Sequence, residues 1–249
     1  MGEWLYGRHP VFEALRSGKR SVFQMRVAKG VRPKGRVADV LKIAKDRNLR
    51  IEYVDRTKLD VINPNHQGVA LLVEGYPYRE LMDFLELANK TGEAPFILIV
   101  DTIQDPQNFG SLLRTAEGVG VHGVIIPLKR SVQVTPAVVS ASAGASEHVY
   151  IMRGNLAQAI NALKREDVWI VGLGQGQDGL PPGEVDLSGP VALVVGSEGR
   201  GMRRLVQESC DSILQLPMSG EIESFNAAAA GSIALYLAYM TRSESKIKS

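Results

Sequence analysis

Hydrophobic positions along the chain follow two alternating periods. Short apolar runs alternate with stretches in which apolar residues recur every three or four positions. Val22 to Val27 and Ile51 to Val54 read as strands, and Gly68 to Val73 (GVALLV) as a buried one. Arg36 to Leu49 places Val37, Val40, Leu41 and Ala44 at helical spacing. Pro10 to Arg16 reads as a helix, because proline suits a first turn and Gly18 suits the end. This alternation over residues 1–75 predicts one small layered α/β unit.

Gly75-Tyr76-Pro77-Tyr78 breaks the pattern, Arg79 to Asn89 reads as a helix, and Lys90 to Pro95 is turn-rich. Residues 76–95 are therefore expected as a linker and 96–249 as a second unit. That unit opens with Phe96 to Val100 (FILIV), too apolar for a half-exposed strand and suited to a parallel strand covered on both faces. Further strands are expected at Gly123 to Ile126, Val149 to Met152, Val168 to Leu173, Val191 to Val195 and Ser212 to Leu216. A last helix is expected from Asn226 to Met240.

Composition narrows the class. A single cysteine excludes an internal disulfide and a Cys-based zinc cluster. No apolar run approaches the roughly 18 residues of a membrane span, and Met1-Gly2-Glu3-Trp4 lacks the regions of a signal peptide, so a cytoplasmic protein is expected. The net charge of +2 hides an asymmetry. Residues 1–75 carry 15 Lys+Arg against 8 Asp+Glu, a net of +7, and the remainder 14 against 19, a net of −5. A basic segment of this kind suits a nucleic-acid partner.

Two glycine patterns imitate nucleotide fingerprints. Gly118 to Gly123 matches G-x-G-x-x-G, but it follows a helix and leads into a strand, the reverse of what a dinucleotide site needs; helix-terminating glycines explain it better. Gly172 to Gln177 follows a strand, yet Asp178-Gly179-Leu180-Pro181-Pro182 cannot open a helix, so it reads as a loop. The histidines at 9, 66, 122 and 148 lack metal-ligand spacing, and no metal is expected.

Three other stretches carry more chemistry. Asp101 to Arg114 (DTIQDPQNFGSLLR) lies where a buried strand gives way to a helix, the usual ligand position in an open α/β sheet. Within it Asn108 and Arg114 are six apart, which ideal helical geometry rotates by about 240°. They share a site only if Asn108 precedes the helix. Val191 to Met202 is a strand, a tight glycine turn (Gly196-Ser197-Glu198-Gly199-Arg200-Gly201) and a helix start. Leu216 to Ser232 runs from a strand through a polar loop, where Ser224 or Asn226 can cap the last helix, into the small-residue run Ala227 to Ser232.

Taken in order, N-x-G-x(3)-R, G-S-E-G-x-G and L-P-M-x(5)-S-F-N resemble the three motifs of the SpoU (TrmH) branch of the SPOUT RNA methyltransferases. Tyr6 to Leu15 and Asn65 to Leu71 resemble that family's N-terminal substrate-binding domain, and the RlmB type, which methylates a guanosine ribose in large-subunit (23S) ribosomal RNA, is the nearest subgroup. The resemblance implies an α/β SPOUT fold with a C-terminal trefoil knot, an L30e-like RNA-binding domain at the N-terminus, a homodimer, and S-adenosylmethionine as cofactor. It implies that main-chain groups around Gly196, Leu216, Met218 and Phe225 hold the cofactor. The family usually has leucine where this chain has Phe225, which alters the apolar wall and not a backbone contact.

The reaction so implied moves a methyl group from a sulfonium to a ribose 2′-hydroxyl, which must be oriented or deprotonated. The family proposal makes the arginine at position 114 the activator. A guanidinium is a difficult base, its pKa lying above about 12, and suits phosphate positioning and stabilisation of a developing alkoxide. Asn108, Ser224 and Asn226 are expected to hold Arg114 and the ribose, and Glu198 to pair with Arg114 or fix the loop beneath it. Transfer RNA is the alternative substrate, and a non-catalytic RNA-binding assembly factor the rival from another class.

Overall fold

The computed structural model describes residues 2–129, 131–175, 179–199, 201–222 and 224–248, and the chain divides into two compact units. The first comprises Met1–Pro77 and Val134–His148, the second Tyr78–Gln133 and Val149–Ser249.

In the first unit, strands β1 (Gly2–Tyr6), β2 (Val22–Ala28), β3 (Ile51–Val54) and β4 (Val69–Glu74) form a sheet in the order β1-β4-β2-β3. β4 runs antiparallel to both neighbours, while β2 and β3 are parallel. The first strand was not legible in the sequence, because only Leu5 of GEWLY is fully buried and no alternation marks it. Leu5, Leu71 and Met25 stand in register across three strands, each 0% exposed. Helix α1 (Arg8–Ser17) packs on β1 and β4, and α2 (Arg36–Asp46) packs on α1, burying Val11, Leu15, Val37, Val40 and Ala44. Gly18 ends α1 at φ 64°, a left-handed conformation that glycine adopts without steric cost. Leu59 of α3 (Arg56–Asp60) joins Ala28, Val54 and Ala70 in a smaller apolar cluster.

The return segment 134–148 holds helix α6 (Pro136–Ala141) and a single 3-10 turn, Ala145–Glu147. α6 packs on β1 and the turn on α1. A buried ion pair fixes it: Arg20 Nε and Nη2 lie 2.9 and 2.6 Å from the two Glu147 oxygens. The same guanidinium reaches Glu3 and sits 5.0 Å from the Tyr76 ring. Burial pushes the Glu147 carboxyl above the usual carboxylate range, and the opposing pull of Arg20 is smaller. His148 Nε2 lies 2.8 Å from Glu13. The sequence pattern placed the first unit at 1–75 and a linker at 76–95; in the structure residues 134–148 rejoin the first unit, and α4 (Leu81–Thr91) forms within the expected linker.

The second unit is a six-stranded parallel sheet of β5 (Phe96–Val100), β6 (Gly123–Pro127), β7 (Ile151–Gly154), β8 (Trp169–Leu173), β9 (Val191–Val195) and β10 (Ser212–Leu214), in the order β10-β8-β9-β5-β6-β7. The continuous apolar runs of β5 and β9 occupy its centre and are buried throughout. One face carries Ile97, Ile99, Ala192 and Val194 against Phe84 of α4 and Leu156, Ile160 and Leu163 of α7 (Leu156–Arg165). On the other, α5 (Pro106–Gly118) packs beside α9 (Ala227–Lys248), where a Cβ added at Gly231 would lie 2.5 Å from Leu112 and 3.0 Å from Val195. A short α8 (Arg204–Gln207) follows β9. Gly118 to Gly123 does run from helix end to strand start, with Gly120 at φ 75°. Of the second glycine pattern, Gly176, Gln177 and Asp178 lie outside the described residues.

Candidate active site

Strand order reverses between β5 and β9, and in an open α/β sheet the crevice beyond the carboxyl ends of such strands is where ligands bind. The chain after β5 supplies Asp105, whose carboxylate caps α5 by accepting from Asn108 N at 3.0 Å. Asn108 is thus the third residue of α5, with its side chain beside the turn that follows β9. Its Nδ2 donates to Glu198 Oε1 at 3.3 Å. Asn226 joins both: its Nδ2 donates to Asn108 Oδ1 at 3.1 Å and to Glu198 Oε1. Its Oδ1 accepts from the Ala228 and Ala229 amides at 3.0 and 3.1 Å, capping α9. One asparagine therefore both starts the last helix and ties two loops together.

Arg114 does not enter this cluster. Because Asn108 lies inside α5, the six-residue spacing rotates the two side chains by about 240°, leaving them about 120° apart around the helix. Of the two roles expected for Glu198, the pair with Arg114 is not formed among the described residues; Glu198 accepts from the two asparagines, a loop-fixing contact. Arg114 is exposed and makes no side-chain hydrogen bond or ion pair with the described residues.

Beside the triad lies an open cavity of about 390 Å³. Gly196, Glu198, Gly199 and Gly201 line one side, Leu216, Ser224 and Phe225 another, and Leu173 and Leu214 the floor. Met218 is two residues beyond Leu216 and does not line it. The glycine turn is closed by Ser197 N to Gly201 O (3.0 Å) and Gly201 N to Ser197 O (2.9 Å). A Cβ at Gly196 would fall 2.2 Å from the Gly201 carbonyl carbon, so only glycine permits the turn. Phe225 is 39% exposed and forms part of the apolar wall. Arg200 and Glu223 lie outside the described residues.

A buried carboxylate at the end of β5 supports the same turn. Asp101, 0% exposed, accepts from Arg203 Nε at 2.7 Å and from Arg203 N at 2.8 Å. Next to it Thr102 has φ 63°, an outlier for a β-branched residue and the kind of strain that collects at functional sites. Sequence reasoning missed this pair, although an aspartate ending a buried strand is a signal for it. Three of the four histidines have structural partners: His66 Nδ1 accepts from Gly68 N (2.8 Å), His122 Nδ1 from Phe96 N (3.0 Å), and His148 lies against Glu13. No cluster of metal-ligating side chains occurs among the described residues.

Residues 95–236 match the model of the SpoU rRNA Methylase family, and residues 4–79 match that of the RNA 2′-O ribose methyltransferase substrate-binding domain. The chain belongs to the SpoU methylase family. This SpoU methylase is 40% identical over 243 residues to YacO of Bacillus subtilis, described as a TrmH family tRNA/rRNA methyltransferase, across 96% of each chain. A TrmH family tRNA/rRNA methyltransferase of Staphylococcus haemolyticus is 39% identical, across 96% of this chain and 95% of that one. The fold matches the SpoU methyltransferase AviRb of Streptomyces viridochromogenes in complex with AdoMet, with TM-score 0.79, 21% identity and coverage of 98% and 91%. It also matches the AdoMet-bound rRNA methyltransferase of Sinorhizobium meliloti, with TM-score 0.77, 22% identity and coverage of 96% and 87%. The SpoU methylase motifs are thus the stretches that the fold gathers at the β5–β9 crevice.

Proposed function

We propose that this SpoU methylase transfers a methyl group from S-adenosylmethionine to a ribose 2′-hydroxyl of RNA, a guanosine of 23S ribosomal RNA being the first candidate and transfer RNA the second. The observation that carries the reading is the Asn108–Glu198–Asn226 triad at the mouth of a glycine-walled cavity. The cavity suits the cofactor: its glycine turn presents backbone groups without side chains in the way, and Leu216, Phe225 and Leu214 offer apolar surface to an adenine. Gly196, Leu216 and Phe225 would hold the cofactor, with Met218 acting through its neighbours. Bound there, the cofactor supplies an electrophilic methyl group on its own leaving group.

The chain's residues supply orientation. Glu198 and the two asparagines fix the loop edges, and Ser224 on the cavity lining offers a hydroxyl to the ribose. Arg114 holds an RNA phosphate and stabilises the alkoxide that develops at the 2′-oxygen. Its exposure, and the lack of an ion pair with any described residue, support that role. A homodimer is part of the reading. Ile233, Tyr236 and Met240 of α9, 39%, 55% and 42% exposed, form an apolar stripe at helical spacing, and closed two-fold dimers are the commonest oligomer. The trefoil knot belongs to the reading as well, supported by the glycine turn after β9 and the segment after β10 lining one cavity. Action in the cytoplasm is part of the reading; among the described residues no helix is long and apolar enough to cross a membrane.

The deciding experiment maps ribose methylation in ribosomal and transfer RNA from cells with and without the protein. One lost site in 23S ribosomal RNA supports the first candidate; a lost site in transfer RNA replaces it with the second. Arg114→Ala is expected to abolish transfer while cofactor affinity stays within about twofold, since Arg114 lines no part of the cavity. Near-normal turnover by that variant removes Arg114 from the chemistry.

A further inference from the structure

The second unit is net acidic, yet RNA has to settle on it. A second cavity, of about 620 Å³, lies in this unit. It opens at the carboxyl ends of β6 and β7, on the same edge of the sheet as the triad, and is lined by Lys129, Arg203, Arg204, Leu128, Leu205 and the start of α7. Among the described residues its lining holds three basic side chains and no acidic one.

Each cation is presented differently. Arg203 has its Nε committed to Asp101, while half its side chain surface remains exposed. Arg204 is paired with Glu208 at 2.8 Å, four residues along a short exposed helix; an ion pair that open to water contributes little and exchanges readily for a phosphate. Lys129 sits on the loop after β6, which is braced by Arg153 Nη2 donating to Leu128 O (3.0 Å) and Ser131 Oγ donating to Pro127 O (2.9 Å). Asn155 caps α7 by accepting from Gln158 N at 3.3 Å, and the Leu156 and Ala157 amides, both on the cavity wall, have no acceptor within the helix. Leu128 and Leu205, 55% and 63% exposed, add apolar surface at the rim. Cations, unclaimed amides and apolar surface in one preformed hollow suit a nucleotide: phosphate inside, sugar or base edge against the leucines.

We propose that this cavity is a phosphate subsite for the RNA substrate, holding the backbone of a nucleotide flanking the methylated one. The proposal rests on the RNA methyltransferase reading and adds to it the place where the acidic unit grips RNA. Recognition is by charge, so it positions the strand and does not read sequence.

The test compares wild type with Lys129→Ala/Arg204→Ala on a fluorescently labelled, unmodified 23S ribosomal RNA transcript and on unmodified transfer RNA, between 50 and 200 mM salt. Arg203 is left intact because it supports Asp101. Removing one phosphate-binding cation lowers the slope of log affinity against log salt by about 1. The double variant is thus expected to lower it by about 2, so that the ratio of wild-type to variant affinity changes roughly 16-fold over that range. KM for RNA should rise, with kcat at saturating RNA and S-adenosylmethionine affinity unchanged. Lys129→Arg/Arg204→Lys should restore the slope, which separates charge from folding. A charge-matched control on exposed helix ends, Lys90→Ala/Arg165→Ala, should leave KM unchanged. If the wild type binds and methylates RNA and the double variant has the same slope and KM, the subsite is overturned and the functional reading stands. If the wild type binds neither RNA, the functional reading falls, and the subsite with it.

Discussion

Asn226 holds two positions at once, and the two can be separated by substitution. Its Oδ1 caps α9 through two amides, while its Nδ2 ties Asn108 to Glu198. Serine ranks with asparagine as a helix cap but lacks the amide donor. Asn226→Ser is therefore expected to keep the cap and cut the tie, whereas Asn226→Ala loses both. Losing a cap costs about 1 kcal/mol, a fall of roughly 2–4 °C in Tm for a unit of this size. A hydrogen bond to a carboxylate contributes about 1.5–3 kcal/mol, and at an exposed site the lower end applies. Lost from orientation of the reacting groups, that corresponds to roughly a tenfold fall in kcat. The assays are thermal unfolding by circular dichroism and transfer of a tritiated methyl group into RNA. Asn226→Ser should unfold within about 1 °C of wild type yet turn over roughly tenfold more slowly. Wild-type turnover by Asn226→Ser would show that the triad does not orient the reaction, and a Tm as low as that of Asn226→Ala would refute the cap.

Gly196→Ala would place a methyl group 2.2 Å from backbone that cannot yield, so S-adenosylmethionine affinity measured by calorimetry should fall at least tenfold, and unchanged affinity would remove the glycine turn from the cofactor site. Arg20→Met leaves Glu147 and Glu3 buried or half-buried without their cation and should destabilise the first unit by about 3–5 kcal/mol in urea unfolding. Burial pushes the Cys210 thiol up to about 11. At pH 8 its thiolate fraction should be about a hundredfold below that of a free thiol, so alkylation by iodoacetamide should be slow until the protein is denatured. Tyr236→Glu should shift the protein toward monomer in light scattering, and an unchanged mass would exclude the α9 stripe as the dimer seam.

Much of the second unit could be read from the chain. β5 and β9 occupy the residues expected of them, because a run such as FILIV buried on both faces leaves no other solution. The residue types of the triad were legible as motifs. That Asn108 and Glu198 touch was not, because it depends on β5 and β9 being neighbours across 90 residues of chain. Asp101 and Arg203, 102 residues apart, were invisible for the same reason. Short elements such as α3 and α8 have too few residues to establish a period. The direction of Arg114 was not legible: the residues were expected to share a site, which needed Asn108 ahead of the helix, and only the cap at Asp105 puts Asn108 inside α5 and turns Arg114 away.

The excursion of residues 134–148 into the first unit sets an order of events during synthesis. Domains tend to fold as they emerge, at about 5–20 residues per second. Here the first unit is still incomplete when residue 77 appears, because Arg20 lacks the carboxylate of Glu147. The ribosome must add the 71 residues from 77 to 148 first, roughly 4–14 s of translation at that rate, and these include β5 and β6 of the other unit. A fragment ending near residue 75 therefore corresponds to an unfinished nascent chain, with a buried arginine waiting for its partner.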